Sequence, residues 1–289
     1  TITNNGTFNM QHSMSDGEWH FVSSPVEGAT ANLFYGDYLQ YYDETLPEDN
    51  YVDISDENTE LSACKGFSWR NFNKGDFTFI GDPHHGDQSI ATTANNTWGW
   101  NLVGNPYPSS IDWDMLDDTY GTVYLWTGTD NEFSTYNAGA TTNGGTRYIA
   151  PMQGFLIITS VPEAPVIESF SVNNTHRTHS GANGYVKSAK ILPQYLKLKI
   201  EDGNVSDEVF IQFGDSYSDG FELNDGFKIL TSNPENINIY TKTIDGNLSI
   251  DRRPECESIQ MGIKSDQSKQ LIISKIESAD LVNIQLEDT

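Results

Sequence analysis

Long hydrophobic runs are missing from this chain of 289 residues. A bilayer-spanning helix needs roughly eighteen or more consecutive apolar positions, and none occurs, so no helix is expected to insert in a membrane. Cysteine is nearly absent: Cys64 and Cys256 are the only two. They lie far apart, so neither a disulfide framework nor a zinc-ligand spacing is indicated. Both read as small buried hydrophobes. Basic residues are scarce, with 16 Lys and Arg against 41 Asp and Glu, a formal net charge of −25. That scarcity argues against nucleic acid, whose phosphates are held by Lys and Arg. It argues equally against anionic membranes and polyanionic glycans. The carboxylate excess suits a soluble extracellular protein, or one that binds calcium. Catalytic signatures are missing too: no G-x-S-x-G elbow, H-E-x-x-H pair or phosphate loop occurs. No catalytic residue is therefore assigned. The opening "TITNNGTFNM" is not a signal peptide, and a mature or excised segment of a longer exported protein would look like this.

What the chain does contain is short runs of β-branched and aromatic residues separated by Gly, Asn, Asp and Pro, the all-β pattern. One brief helix is predicted at "SSIDWDML", with Ser109 as its cap and Asp112 as the reciprocal partner. The first half repeats itself. "WHFVSSP" from Trp19 matches "WNLVGNP" from Trp100, "YL" at Tyr38 matches "YL" at Tyr124, and "CKGF" at Cys64 matches "MQGF" at Met152. Three anchors in the same order imply a duplicated unit paired about a pseudo-two-fold axis. The Gly before Phe in the last anchor marks a bulge or a close backbone approach. Past "SVPEAPV" the texture changes, and "YLKLKIE", "DEVFIQF" and "NINIY" alternate cleanly. The expected architecture is thus all-β. An internally duplicated β domain occupies residues 1–163 (copies roughly 1–82 and 83–163). An antiparallel β-sandwich, jelly-roll or Ig-like, follows at 164–289.

The blocks "WNLVGNPY" (Trp100 to Tyr107), "MQGF" (Met152 to Phe155) and Arg177-x-His179 resemble a recurrent β-rich region of large exported proteins. Those proteins belong to Bacteroidetes-type bacteria that use type IX secretion. In the second half Asp207-Glu208, Gly220 to Glu222, and Asp225 before Lys228 are similar as well. The resemblance implies an extracellular or surface-displayed protein. It also implies a place between a catalytic or adhesive portion and a C-terminal sorting domain, with other domains of the same polypeptide as partners.

Tryptophans repeated in both copies, Trp19 and Trp100, are expected in the core. Trp69, Trp98, Trp113 and Trp126 have no such counterpart and are the candidate stacking platforms for a sugar. Asp112, Asp114, Asp130 and Tyr136 are the polar neighbours that would bond its hydroxyls. The tyrosines of "YGDYLQYYDE" read as cross-strand pairs, and "GDPHHGDQ" as a surface loop. Asp215, Asp219, Glu222 and Asp225 offer oxygen ligands around a Gly and are the calcium candidates; no other cofactor is indicated. His176, Arg177 and His179 are expected to tie the two domains together. The reading is a non-catalytic glycan-binding or adhesion module with a polysaccharide partner. A structural spacer and a carbohydrate-active hydrolase are the alternatives.

Overall fold

A computed structural model describes residues 7–14, 17–47, 49–72, 76–95, 98–128, 131–161, 165–179, 192–231, 233–281 and 284–287. The fold is all-β, and the described residues hold only short 3-10 turns besides strands. The chain divides into two units. One comprises residues 1–129 and 147–187, the other 130–146 and 188–289.

The first unit carries the duplication. One copy runs Phe8–Ser13, Trp19–Ser23, Tyr38–Tyr42, Gly66–Arg70 and Asp76–Gly81. The other runs Gln88–Ala91, Trp100–Gly104, Val123–Trp126, Gly154–Ile158 and Ser169–Val172. In each copy the first and fifth strands pair antiparallel. In each the fourth lies between the second and third. Only the third strand of each copy, which carries the "YL" anchor, is offset from the sequence match. Gln40 lies opposite Ser68, whereas Tyr124 lies opposite Leu156, so Tyr124 takes the place of Gln40 rather than of Tyr38.

The two copies meet through reciprocal backbone bonds. Ser23 N donates to Met152 O at 2.8 Å and Gly104 N donates to Cys64 O at 2.9 Å. Cys64 and Met152 share the same left-handed φ of 61°. The following glycines need their missing side chains. A Cβ on Gly66 would sit 2.4 Å from Val103 O, and one on Gly154 would sit 3.0 Å from Val22 N. The close approach expected of these glycines is therefore the seam between copies.

The predicted boundary near residue 163 is corrected by strand pairing. Ser169–Val172 pairs with Gln88–Ala91, and Arg177 pairs with Ile111, both inside the first unit. The second copy cannot close without its fifth strand, which lies beyond the prolines. Its signal was present: "DFTF" at Asp76 and "SFSV" at Ser169 both alternate inward, burying Phe77 and Phe79 in one copy, Phe170 and Val172 in the other. His176 and Arg177 bond within the first unit. The Nε of Arg177 donates to Ser109 Oγ at 2.9 Å, and the guanidinium lies 5.0 Å from the Tyr107 ring. The brief helix is also corrected. Ser110–Asp112 is a strand, the helical turn is only Trp113–Met115, and Asp112 caps it by accepting from Asp114 N.

The second unit is a sheet ordered Met261–Ser265, Ile237–Lys242, Asn247–Arg253, Ser206–Phe213, Tyr195–Glu201 and Ile272–Ala279. One pair, Ser206–Phe213 with Asn247–Arg253, is parallel, a departure from the antiparallel expectation. The sheet curls so that Ile237 and Ile239 pack against Leu196, Leu198, Ile200, Val209 and Ile211. The hairpin Phe133–Asn137 and Ala140–Thr142, drawn from the middle of the first unit's sequence, completes this unit. Its Ala140 packs with Phe210 and Ile250 on the opposite sheet face.

Candidate functional site: an aromatic row around Arg70

Strand parity builds the site. In "CKGFSWRNF", Phe67 and Trp69 point into the core of the first copy, so Ser68 and Arg70 point the other way. Arg70 lies opposite Trp19 on one neighbouring strand and opposite Tyr38 on the other. The three side chains therefore form one row across the sheet. Phe72, two residues on, closes it, with its ring 5.2 Å from that of Tyr38. Tyr35, Tyr38 and Phe72 are 65%, 53% and 37% exposed.

The row is held from below by Asp37. Its carboxylate accepts from Trp69 Nε1 at 3.1 Å and from Phe72 N at 3.2 Å, locking the Tyr38 turn to the end of the Arg70 strand. Gly36, at φ 90°, turns the chain between Tyr35 and Asp37, a conformation that side-chain-bearing residues rarely adopt. The Arg70 guanidinium is held 5.9 Å from the Trp19 ring and 5.2 Å from the Phe72 ring. Its Nε donates to Gly17 O at 3.3 Å. Among the described residues no carboxylate lies within ion-pair reach of Arg70. The arrangement offers flat aromatic faces for stacking and oriented guanidinium N–H donors beside them.

For two of the four stacking candidates the expectation reverses. Trp69 is fully buried and Trp113 is 6% exposed, so neither can stack on a ligand. Trp69 packs against Phe34 and Phe77, and Trp113 against Phe155 and Phe170, with its Nε1 donating to Gly121 O at 2.9 Å. They are the cores of the two copies. Trp19 and Trp100, expected inside, are half-buried. Trp98 is half-buried, and its carbonyl accepts from Ser160 N at 3.1 Å. Trp126 is half-buried and bonds from Nε1 to Trp19 O at 2.8 Å.

The polar candidates scatter. Asp112 is buried and held by both Nε and Nη2 of Arg147 at 2.6 Å, and exposed Asp114 pairs with the same guanidinium at 2.8 Å. Asp112 is thus structural. Tyr136 is buried in the second unit, and Asp130 lies outside the described residues. In "GDPHHGDQ" the two histidines part, His84 inward and His85 outward, and burial lowers the pKa of His84. Tyr42 pairs across strands with Tyr51, rings 5.1 Å apart, as expected, whereas Tyr38 turns to Phe72.

Of the calcium candidates, Asp215 and Asp219 are exposed, while Asp225 is buried and occupied. Its carboxylate accepts from Arg252 N at 2.6 Å and from Glu222 N at 2.8 Å. Burial pushes its pKa up to about 7, against the lowering effect of those two amides. No cluster of three or more metal-ligating side chains forms among the described residues. Cys64 is buried, which pushes its thiol up to about 12, but Cys256 is exposed, against expectation.

An all-β, internally duplicated unit with an aromatic row on one copy, followed by a curled-sheet unit, is the class that this geometry defines. The chain belongs to the family described as Domain of unknown function (DUF8693), whose model matches residues 1–288. No curated protein and no solved structure matches it.

Proposed function

We propose that this chain is a non-catalytic module of a secreted or cell-surface protein and binds a neutral glycan on the Trp19–Arg70–Tyr38–Phe72 row. The observation that carries the reading is the row itself. It holds exposed rings, fixed by Asp37, around a guanidinium that pairs with no carboxylate among the described residues. Sugar C–H faces stack on such rings, and hydroxyls accept from the guanidinium. The resemblance to type IX-exported proteins supports the location, and the net charge of −25 favours a neutral ligand over a polyanion. A spacer that binds nothing small is the second reading, favoured by the burial of Trp69 and Trp113. A glycan array with the whole chain separates the two. Binding to a neutral oligosaccharide that weakens about tenfold or more in Phe72→Ala or Tyr38→Ala supports the row. Failure to bind any glycan leaves the spacer.

A further inference from the structure

We propose that Lys228 and Asp207 condense into an isopeptide bond inside the second unit. Asp207 is fully buried, and the Lys228 side chain is 6% exposed. The Lys228 ammonium contacts Asp207 Oδ1 directly. That oxygen also accepts from Asn143 Nδ2 at 2.8 Å, while Oδ2 accepts from Ile239 N at 2.7 Å. The carboxyl group is therefore fixed by N–H donors on both oxygens, with an amine against one of them and no solvent around it.

The chemistry balances without any co-reactant. Condensation begins when one proton passes from Nζ to Oδ1, which leaves an amine beside a carboxylic acid. The Nζ lone pair then attacks Cγ, and negative charge collects on Oδ2, where the Ile239 N–H receives it. The Cγ–Oδ1 bond breaks, and Oδ1 leaves as water with two of the three ammonium protons. Nζ keeps the third. The product is a neutral amide whose carbonyl retains the Ile239 donor, and Asn143 Nδ2 retains a second acceptor, Phe133 O at 3.2 Å. Holding both groups in place supplies an effective concentration of roughly 10⁵ M or more, which favours condensation. Two buried charges disappear.

Other ion pairs among the described residues lack this combination. Lys197–Glu208 and Lys269–Asp202 lie nearer the solvent, and Arg253–Asp251 has no nucleophilic amine. The bond would tie Ser206–Phe213 to the segment after Gly226–Phe227 in a protein whose two cysteines are both free thiols.

Mass spectrometry of the full chain, refolded from denaturant, tests the proposal. The wild type is expected to be lighter than its sequence by one water, with a branched peptide joining the Lys228 and Asp207 fragments. Lys228→Arg keeps the charge and is expected at full mass. Asp-Gly steps such as Asp245-Gly246 can lose water as succinimides, so the location matters. Loss that persists in Lys228→Arg, or that maps to an Asp-Gly step, overturns the proposal. So does a folded wild type at full mass. Should Lys228→Arg not fold, the branched peptide in the wild type decides alone.

Discussion

Asp225 shows how one side chain carries a solution property of the whole second unit. In the unfolded chain its carboxyl ionises near the ordinary value of 3.8, but in the folded chain burial raises the pKa to about 7. Between those values the folded state binds the proton and the unfolded state does not. Stability contributed by this group is therefore complete below the lower value and is lost as pH rises through the upper one. The slope is at most one proton, about 1.4 kcal/mol per pH unit. Asp225→Asn cannot ionise, so its stability is expected to change less between about pH 4 and pH 7 than that of the wild type. Urea denaturation at a series of pH values reads this directly. Equal slopes for the two proteins would mean that Asp225 does not titrate there.

At the scale of elements, the hairpin Phe133–Asn137 and Ala140–Thr142 decides where the second unit really begins. Arg252 is buried, and its guanidinium donates to the Oδ1 of Asn137 at 3.2 Å and to its backbone carbonyl at 2.9 Å. A fragment of residues 164–289 keeps the cation and loses these acceptors. A hydrogen bond to a charged group contributes about 1.5–3 kcal/mol, so losing two of them removes a large part of a small domain's stability even though Gln212 Oε1 still accepts from Nε at 2.8 Å. That fragment is expected to lack a cooperative thermal transition by circular dichroism, and a version with residues 130–146 attached by a flexible linker is expected to regain it. The hairpin was invisible in the sequence because it alternates like any other strand pair, and nothing local says which core will receive it. Adjacent periodicities such as "YLKLKIE" were legible, since Leu196, Leu198 and Ile200 all face the core. The duplication was legible as well, because its anchors are the residues packed at the seam. Trp69 and Trp113 were misread for the converse reason. The copies have diverged in which core positions carry the indole, so absence of a counterpart marked a core that was repacked, not a surface. Arg70 and Phe72 could have been found by carrying the inward Phe67 and Trp69 parity two residues further.

Across the molecule, duplication supplies its own control for the proposed site. The seam is symmetric, with matched backbone bonds at Ser23 and Gly104, so both copies obey the same packing rules. The outer row is not symmetric. Trp19 and Arg70 correspond to Trp100 and Ile158, which face each other in the second copy as the first pair does in its own sheet. Thr122 falls at the place of Tyr38 and Ser160 at that of Phe72, so the second copy keeps one aromatic and no cation there. An isoleucine is thus already accommodated beside a tryptophan at this position of the fold, and β-branched residues suit a strand. Arg70→Ile is expected to leave the thermal transition of the chain within a few degrees of the wild type, because Arg70 makes no ion pair with a described carboxylate. Glycan binding, if it uses the row, is expected to fall at least about tenfold, since the guanidinium is the row's only charged donor. A variant that keeps both stability and binding would move recognition away from Arg70. One that loses both would show that the cation holds the sheet together rather than a ligand.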